Sequence, residues 1–596
     1  MAMKNGENKE DNHIQNLRHT LAHLLSAVVL DLYPNTRNSI GPAIDNGFYY
    51  DFEFPADVKF SDKDLPELEE KMKVFIKDWK KFKHKEVSEK EAKAHFKDNP
   101  YKLELIDEIV KKRKKITLYT CGSETSSEFT DLCRGGHIEY PSKDISPDSF
   151  KLSHIAGAYW RGDEKNKMLT RIYGLAFDNK EELERYEAQM IEAEKRDHKK
   201  LGKELHLFTI SDIVGKGLPM HLPKGNIIRT ELEKFTRNEK ERLGFSFVTI
   251  PHIAKKELYI RSGHMGKYDA MMPIMTDENG EEFVMKAMSC PHHFEIYNAE
   301  QHSYRDLPLR IAENTTVYRN EKSGELSGLL RVKNITQDDS HHFIRPDQIE
   351  SEIEMIFGLM QKVYSVFGFD DYNIEISVRD LKNKDKYCGD DKVWQKSEEI
   401  LLESVKKWGI KYSIKEGEAA FYGPKIDIKV KDSIGRDWQL TTIQLDFNQP
   451  ENFDMNYTGD DGKRHRVVVL HVAILGSFER FMGILIEHYA GKFPLWLSPV
   501  QVRIIPIADS HHDKALELQK KMKEVSIRTE IDLSKETFGK KIRTAKTEHI
   551  PYFIIIGDKD ISANKVTLES RDSGQIGQLS EDGVIERINK EIKEKK

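Results

Sequence analysis

Cysteine pairs and long apolar runs are both lacking in this chain of 596 residues. The four cysteines lie far apart and form no CxxC pair, which argues against a disulfide scaffold and predicts a reducing compartment. No run of about 18 apolar residues occurs, so we expect no membrane-spanning helix. The polar N-terminus, MAMKNGENKEDNH, has no apolar core and is not typical of a secretory signal. These absences together predict a cytoplasmic protein.

A strong excess of charge of one sign is also lacking. The net charge is −6, with 33% of the residues charged and 38% hydrophobic, as is ordinary for a globular enzyme. This acidic balance argues against a protein that binds nucleic acid indiscriminately, so any RNA must be bound by local basic faces. The length predicts roughly three or four domains of about 150 residues each.

A stretch rich in Gly, Ser and Arg runs from residue 318 to 343 and reads YRNEKSGELSGLLRVKNITQDDSHHF. Gly324 and Gly328 suit the loop of a long β-hairpin. We expect each of its two strands to carry one arginine, Arg319 and Arg331, whose planar guanidinium groups match phosphate oxygens. A dense polar cluster follows, made of Gln337, Asp338, Asp339, His341 and His342. Arginines on a polar hairpin are more often solvated than functional, so the pattern alone leaves both interpretations open.

Two histidine-containing pairs occur in the first quarter of the chain. His19 and His23 lie four apart within a helix predicted over 14–33, and therefore on one face of it. Cys133 and His137 show the same spacing in DLCRGGH. Four such nitrogen and sulfur groups could converge on one pocket, as tetrahedral zinc prefers. A single pair of helical histidines is usually structural; the second pair makes the functional alternative comparable.

Several segments resemble those of one known family. RNE followed by RVKNITQDD looks like motif 2 of class II aminoacyl-tRNA synthetases, and specifically of threonyl-tRNA synthetases. LGSFERF, which contains Arg480, is similar to motif 3, and the helix and strand of 225–251 resemble motif 1. The resemblance spans the chain from about residue 14 onward. It implies a class II antiparallel-sheet core that joins threonine to its tRNA using ATP and Mg²⁺.

The resemblance also assigns roles in this core. It implies catalytic roles for Arg319, Lys425 and Arg480, and ATP binding by Arg319, Glu321, Arg331, Gln439, Thr442 and Arg480. It implies threonine binding by Gln337, Asp339, Tyr422 and Gln444, and one Zn²⁺ per subunit held by Cys290, His341 and His471. A lone cysteine before proline, as in SCPHH, is otherwise typically a small buried hydrophobe. Three protein ligands leave one coordination position open, the pattern of a working zinc.

The N-terminal part resembles the editing domain of threonyl- and alanyl-tRNA synthetases, which hydrolyses serine attached to the threonine tRNA. The matching residues are His19, His23, Asp131, Cys133 and His137, together with GAYWRGDEKNKMLTRIYG at 157–174. The family commonly has proline where Gly136 stands, a minor departure. It also usually begins with a small ubiquitin-like domain, which has no counterpart in this sequence. Where the family often has a phenylalanine to stack on adenine, Ile335 predicts a weaker ATP grip.

We therefore expect a multidomain α+β and α/β protein. The predicted parts are a disordered N-terminus over 1–12, an editing domain over 13–179, a linker helix over 180–202, a class II catalytic domain over 203–497 and a small α/β anticodon-binding domain over 498–596. The expected partners are tRNA(Thr), threonine, ATP and a second copy of the chain, bound through the motif 1 region.

Three alternatives share some of these features. A seryl- or prolyl-tRNA synthetase would keep the three motif arginines but lack the Cys290, His341 and His471 set. A non-catalytic RNA-binding regulator derived from a synthetase would be expected to lose motif arginines, and none is lost here. A metallohydrolase would use only the histidines and cysteine of the N-terminal part.

Overall fold

A computed structural model of the chain describes residues 9–123, 126–432 and 434–596. They form two compact units, Met1–Ile191 and Glu192–Lys596. The stretch predicted as disordered lies outside the described residues up to residue 8, whereas 9–12 already belong to the first helix. No helix of the described residues combines the length and the apolar character that a membrane crossing requires.

The first unit contains two antiparallel sheets and the helices that cover them. Its helices are α1 Lys9–Leu32, α2 Leu65–Phe75, α3 Glu89–His95, α4 Pro100–Lys111, α5 Pro141–Asp144 and α6 Lys180–Arg196, within which the chain passes to the second unit. Its strands are β1 Arg37–Asn38, β2 Ala43–Ile44, β3 Gly47–Glu53, β4 Lys83–Val87, β5 Ile116–Ser123, β6 Ser126–Leu132, β7 Phe150–Tyr159 and β8 Met168–Ala176. One sheet has the order β1-β3-β8-β7 with β2 beside β3, and the other the order β4-β5-β6.

Helix α1 is the central element of this unit. It is predicted over 14–33 from apolar residues at helical spacing, and its Leu17, Leu21, Leu24 and Val28 are fully buried in the core. Strands β2 and β3 pair in antiparallel fashion, with Asp45 and Asn46 as the turn between them and Gly47 as the first residue of β3. The core therefore fixes which face of α1 carries His19 and His23.

The second unit contains the sheet on which the larger site is built. Before its C-terminal part, this unit contains the helices α7 His198–Glu204, α8 Pro223–Arg242, α9 Lys256–Arg261, α10 Cys290–Asn298, α11 Ile349–Phe367, α12 Asp391–Lys407, α13 Gln449–Asn452 and α14 Phe478–His488. The strands are β9 Phe208–Thr209, β10 Met220–His221, β11 Ser246–Phe247, β12 Ile253–Lys255, β13 Met275–Thr276, β14 Glu282–Met285, β15 Leu309–Tyr318, β16 Asn334–Ile344, β17 Tyr372–Val378, β18 Tyr412–Glu416, β19 Lys425–Lys431, β20 Asp437–Asp446, β21 Asn456–Thr458, β22 Arg464–Arg466 and β23 Val468–Ser477.

Eight of these strands form one sheet, in the order β11-β15-β16-β23-β20-β19-β17-β18. Its pairs are antiparallel except β11 with β15 and β17 with β18. Helix α14 packs on β16 and β23, and apolar side chains of α8, α11 and α14 join those of the sheet in one core. The opposite face of the central strands is free to carry polar groups.

The C-terminal part is a small α/β sheet, as its alternating apolar strands and amphipathic helices predict. It comprises β24 Val502–Pro506, α15 His512–Glu524, β25 Thr529–Ile531, α16 Phe538–Thr547, β26 Tyr552–Ile556, α17 Asp558–Ala563, β27 Val566–Ser570, β28 Gly574–Leu579 and α18 Glu581–Lys593. The strand order is β25-β24-β26-β27-β28, with the first three strands parallel.

Two local predictions are wrong in detail. The single linker helix expected over 180–202 is divided, because Asp197 has a non-helical backbone and caps α7 by accepting the Lys199 N–H at 2.6 Å. Arg319 and Arg331 do not lie on the strands of the hairpin. Arg319 directly follows β15, and Arg331 lies in the loop before β16, where the chain must turn between the two strands.

Candidate functional site

The wall of the larger site is one face of β16. Ile335, Gln337, Asp339 and His341 alternate along this strand and all line a cavity of about 500 Å³. They share a face because successive side chains of a strand point to opposite sides. The neighbouring strands β20 and β23 add Thr442, Gln444 and His471 to the same cavity.

The intervening residues of β16 face away from this cavity. Asp338 is fully buried and accepts the N–H groups of Ile474 and Leu475 at 2.9 and 3.1 Å. His342 is also fully buried and lies 2.9 Å from Glu352. Strand alternation therefore separates the polar cluster of the sequence into a cavity face, with Gln337, Asp339 and His341, and a core face.

Cys290, His341 and His471 come together at one end of the cavity. Their potential ligand atoms all lie within 4.8 Å of one another. His341 and His471 are directly opposite across β16 and β23, which brings Nε2 of the first within 3.0 Å of Nδ1 of the second. Cys290 is the first residue of α10. No local spacing rule could have joined three residues so far apart in the chain.

The surroundings of these three residues suit a metal ion. The outer nitrogen Nε2 of His471 lies 2.9 Å from Asp446, and Nδ1 of His341 lies 2.8 Å from His293. Such outer partners orient imidazole ligands toward a metal. Burial and neighbouring histidines lower the pKa of His341, so its ring is neutral and able to ligate. Burial, with Asp339 and Asp446, raises the pKa of the Cys290 thiol well above its usual value. A divalent cation would offset that cost of forming the thiolate.

Polar groups that could form hydrogen bonds with a small substrate surround the Cys/His end of the cavity. The Tyr422 hydroxyl donates to Gln444 Oε1 at 2.5 Å, and Ser289 donates to Asp339. Gln337, Asp339, Tyr422 and Gln444 all line the cavity beside the Cys/His set. The four residues predicted to bind threonine are thus brought together.

Three arginines line the remainder of the cavity. Arg319 and Arg331 lie at the two ends of the connection between β15 and β16, and Arg480 lies in α14. Burial together with the charges of the other two lowers the pKa of Arg480. The Arg480 Nε–H donates to the Leu330 carbonyl at 3.1 Å. Glu321 holds Arg331 at 2.8 and 3.0 Å. Like charges at close range indicate a site that takes a polyanion.

Asp427 does not itself line the cavity in the described part of the chain, but it holds residues that do, and the sequence did not indicate it. Its carboxylate accepts hydrogen bonds from Gln439 at 2.6 Å, Thr442 at 2.9 Å and Ser377 at 3.0 Å, and it pairs with Lys425 at 2.5 Å. Lys425 itself is not among the residues that line the cavity in the described part of the chain. A single aspartate within KIDIKVK resembles any solvated strand residue, so no local signal could have found it.

The first unit holds the second candidate site. His19, His23, Cys133 and His137 offer ligand atoms that all lie within 4.8 Å of one another. The Cys133 sulfur is 3.3 Å from Nε2 of His137 and 3.6 Å from Nε2 of His19. Burial raises the pKa of Cys133 to about 11 and lowers the pKa of the three histidines, so the set consists of neutral rings and a thiol.

Asp131 lies beside this set, in a buried group with two residues that the sequence did not single out. It pairs with Lys102 and accepts the Tyr50 hydroxyl, each at 2.5 Å. All three line a cavity of about 420 Å³ together with His19, His23 and Cys133. Gly136, whose carbonyl is 3.0 Å from Nδ1 of His19, has φ +82°, which proline cannot adopt. The departure at this position therefore changes the backbone as well as the side chain.

Comparison with family models identifies the class of protein. Residues 272–489 match the tRNA synthetase class II core domain (G, H, P, S and T), and residues 501–591 match an anticodon binding domain. Residues 116–173 match the threonyl and alanyl tRNA synthetase second additional domain. The antiparallel sheet with its convergent arginines is accordingly the core of a class II aminoacyl-tRNA synthetase.

Whole-chain relatives narrow this to one member of the class. The threonine–tRNA ligase of Cytophaga hutchinsonii is 46% identical over 583 residues, covering 96% of this chain and 88% of the relative. The threonine–tRNA ligase of Thermus thermophilus is 45% identical over 601 residues, covering 99% of this chain and 90% of the relative. A solved threonyl-tRNA synthetase RNA-binding domain from Cryptosporidium parvum has TM-score 0.63 and 34% identity, covering 66% of this chain and 98% of that one. The chain belongs to the threonine–tRNA ligases and is an aminoacyl-tRNA ligase.

Proposed function

We propose that this chain activates L-threonine with ATP to threonyl-adenylate and transfers the threonyl group to the 3′ end of tRNA(Thr). The observation that carries this proposal is the shared cavity: three arginines suited to a triphosphate and a Cys/His set suited to a metal line the same volume. A nucleotide and a small polar substrate would therefore meet between them.

The arginine side of the cavity is assigned to ATP. Arg319 would hold the α-phosphate beside the threonine carboxylate that attacks it, while Arg331 and Arg480 would neutralise the β and γ phosphates of Mg²⁺-ATP. Gln439 and Thr442, both held by Asp427, would contact the nucleotide, with Lys425 supporting them through the same carboxylate. Glu321 would help to seat the adenine. Positioning and charge neutralisation supply most of the catalysis in such displacements.

The opposite side is assigned to threonine. Cys290, His341 and His471 fit a zinc ion, which when bound supplies a Lewis acid for the amino and hydroxyl groups of the amino acid. Asp339 would accept from the substrate amine, and Gln337, Tyr422 and Gln444 would complete the pocket. A site built around a hydroxyl rejects the isosteric valine by roughly 10⁴-fold or more.

Serine remains a problem for such a site, because it keeps the hydroxyl and lacks only one methyl group. That difference is worth only about 10- to 200-fold, so a second site is needed. We assign hydrolysis of Ser-tRNA(Thr) to the cavity of the first unit. There His19, His23, Cys133 and His137 would position the ester and a water molecule, and Asp131 would be held by Lys102 and Tyr50.

The remaining segments are assigned to larger partners. Residues 501–591 would contact the tRNA anticodon arm, in keeping with the family model that they match. Helix α8 and strand β11, in the motif 1 region, would form the interface of a homodimer. Analytical ultracentrifugation should then give a species of about twice 69.2 kDa; a monomer at micromolar concentration would contradict this part of the proposal.

The test of the whole assignment is ATP–pyrophosphate exchange with threonine, serine and valine, each with and without a zinc chelator. We expect exchange with threonine, weaker exchange with serine and little with valine, and loss of threonine exchange after zinc removal. Failure to exchange with threonine under zinc-replete conditions would refute the proposal. Equal exchange with valine would refute the assignment of the metal set to substrate selection.

A further inference from the structure

A buried histidine joins the start of α7 to the loop between β15 and β16. His198 is 1% exposed, and its Nε2 accepts the Leu329 N–H at 3.1 Å. Its Nδ1 lies 2.7 Å from Oε1 of Glu487. Because a backbone N–H can only donate, Nε2 is the unprotonated nitrogen and Nδ1–H donates to the carboxylate. Both ring nitrogens are thus used within the protein, so the nearby Asp197, His198 and Glu487 are not a metal site.

The other partner of His198 is fixed in turn. Glu487, at the end of α14, also accepts the His198 N–H at 3.2 Å and pairs with Arg436. The preceding Arg196 donates to the His488 carbonyl at 3.0 Å. Residues 196–198 are therefore attached to the C-terminal end of the helix whose N-terminal turn carries Arg480.

The loop segment that His198 holds is the one next to the arginines. Leu329 is fully buried, the following carbonyl of Leu330 accepts Arg480 Nε–H at 3.1 Å, and Arg331 comes next. Gly328 has φ +49°, and a Cβ added there would lie 2.0 Å from Nε2 of His198. The loop thus packs so closely on the imidazole that a side chain at 328 requires the ring to move.

We propose that His198 is a positioning residue for the nucleotide half of the cavity. By joining the 327–331 loop to the end of α14, it keeps Arg331 and Arg480 directed at one volume, although His198 does not itself line the cavity. This inference rests on the proposed function, in which these arginines hold the triphosphate of ATP. The role of His198 is limited to the ATP side of the site, because His198 makes no hydrogen bond to the Cys/His side in the described part of the chain.

The first test separates the two substrates in the exchange assay. We expect His198→Ala to raise the KM for ATP roughly tenfold, the order expected when a buried N–H loses its acceptor, and to leave the KM for threonine unchanged. His198→Gln keeps an acceptor oxygen that can reach the Leu329 N–H, and it should restore most of the ATP affinity. The matched control is Leu201→Ala, on the same helix and buried in the apolar core, which should lower Tm without changing the KM for ATP.

The second test is a double-mutant cycle with Gly328→Ala. The added methyl group collides with the imidazole in the parent protein and should raise the KM for ATP strongly. In the His198→Ala background the ring is absent and only the strain of an alanine at this positive φ remains, so the same change should add less. Additive effects, an unchanged KM for ATP in His198→Ala, or an equal rise in the KM for threonine would each overturn the inference. A parent protein that exchanges nothing with threonine would instead overturn the proposed function.

Discussion

Ile335 is an aliphatic residue on a wall that otherwise offers polar groups to the substrates. It lines the cavity on the same face of β16 as Gln337. An aromatic ring at this position would offer a flat surface on which the adenine could stack. We expect Ile335→Phe to lower the KM for ATP by about 2- to 10-fold, the range of one aromatic contact, with the KM for threonine unchanged. Ile335→Val is the matched control and should change neither constant. An unchanged KM for ATP in the phenylalanine variant would contradict the predicted weaker grip.

Cys290 supplies the only sulfur of the larger cavity in the described part of the chain apart from the methionine Met288. We expect Cys290→Ser to lose about one equivalent of zinc per subunit and to abolish exchange with threonine, because a hydroxyl is a much poorer ligand than a thiolate. Zinc content by mass spectrometry is the measurement. Cys388→Ser, at a half-buried thiol outside the set, is the control and should keep its zinc. Full zinc content in Cys290→Ser would remove this residue from the metal site.

Which residues could be predicted depended on whether their role showed in the local pattern. The pairs His19/His23 and Cys133/His137 are visible as spacings, and they do converge. Lys102 was not predictable, because a lysine in the charged helix YKLELIDEIVKK gives no sign that it is buried against Asp131. The same holds for Asp427. Burial of a single charge depends on the tertiary fold, and no periodic pattern reports it.

Helix α11 is attached to the sheet by a buried carboxylate. Glu352 makes two bonds with Arg310, at 2.5 and 2.8 Å, and one with His342 at 2.9 Å, which outweigh burial and lower its pKa to about 2. A carboxylate whose pKa is lower in the folded than in the unfolded state stabilises the fold above the unfolded value of about 4.5. That contribution is lost as pH falls toward 2.

We therefore expect Glu352→Gln to lower Tm by about a few degrees at pH 7, and the difference from the parent to narrow as pH falls below about 4.5. Scanning calorimetry at several pH values measures it. The matched control is Glu350→Gln on the same helix, whose exposed pair with Lys407 should contribute little. A difference that stays constant between pH 7 and 3.5 would show that the charge of Glu352 is not what stabilises α11.

The secondary structure was predictable where a hydrophobic periodicity extended over many residues and turn or capping residues marked its ends. The amphipathic α1, the hairpin of β15 and β16 and the C-terminal strands all follow such patterns. The break at Asp197 was not predictable, because EAEKRDHKK has the composition of one continuous charged helix. Only the cap that Asp197 forms, together with the burial of His198, explains why α6 ends there.

At the scale of the whole chain, the two cavities lie in different compact units and use no residue in common. We expect His19→Ala to leave ATP–pyrophosphate exchange with threonine unchanged and to allow Ser-tRNA(Thr) to accumulate, because only the first cavity is altered. Deacylation of preformed Ser-tRNA(Thr) is the direct measurement. His154→Ala, an exposed histidine of the same unit outside the cavity lining, should deacylate normally. Loss of exchange in His19→Ala would contradict this separation.

The alternation along β16 has a consequence for how the gene tolerates change. Saturation mutagenesis of 336–342 should give two interleaved phenotypes: well-expressed but inactive enzyme at odd-numbered positions, and poorly accumulating protein at even-numbered ones. A single-codon insertion at the start of this strand would shift every following residue by one position. Asp338 and His342 would then face the cavity in place of the residues that contact the substrates.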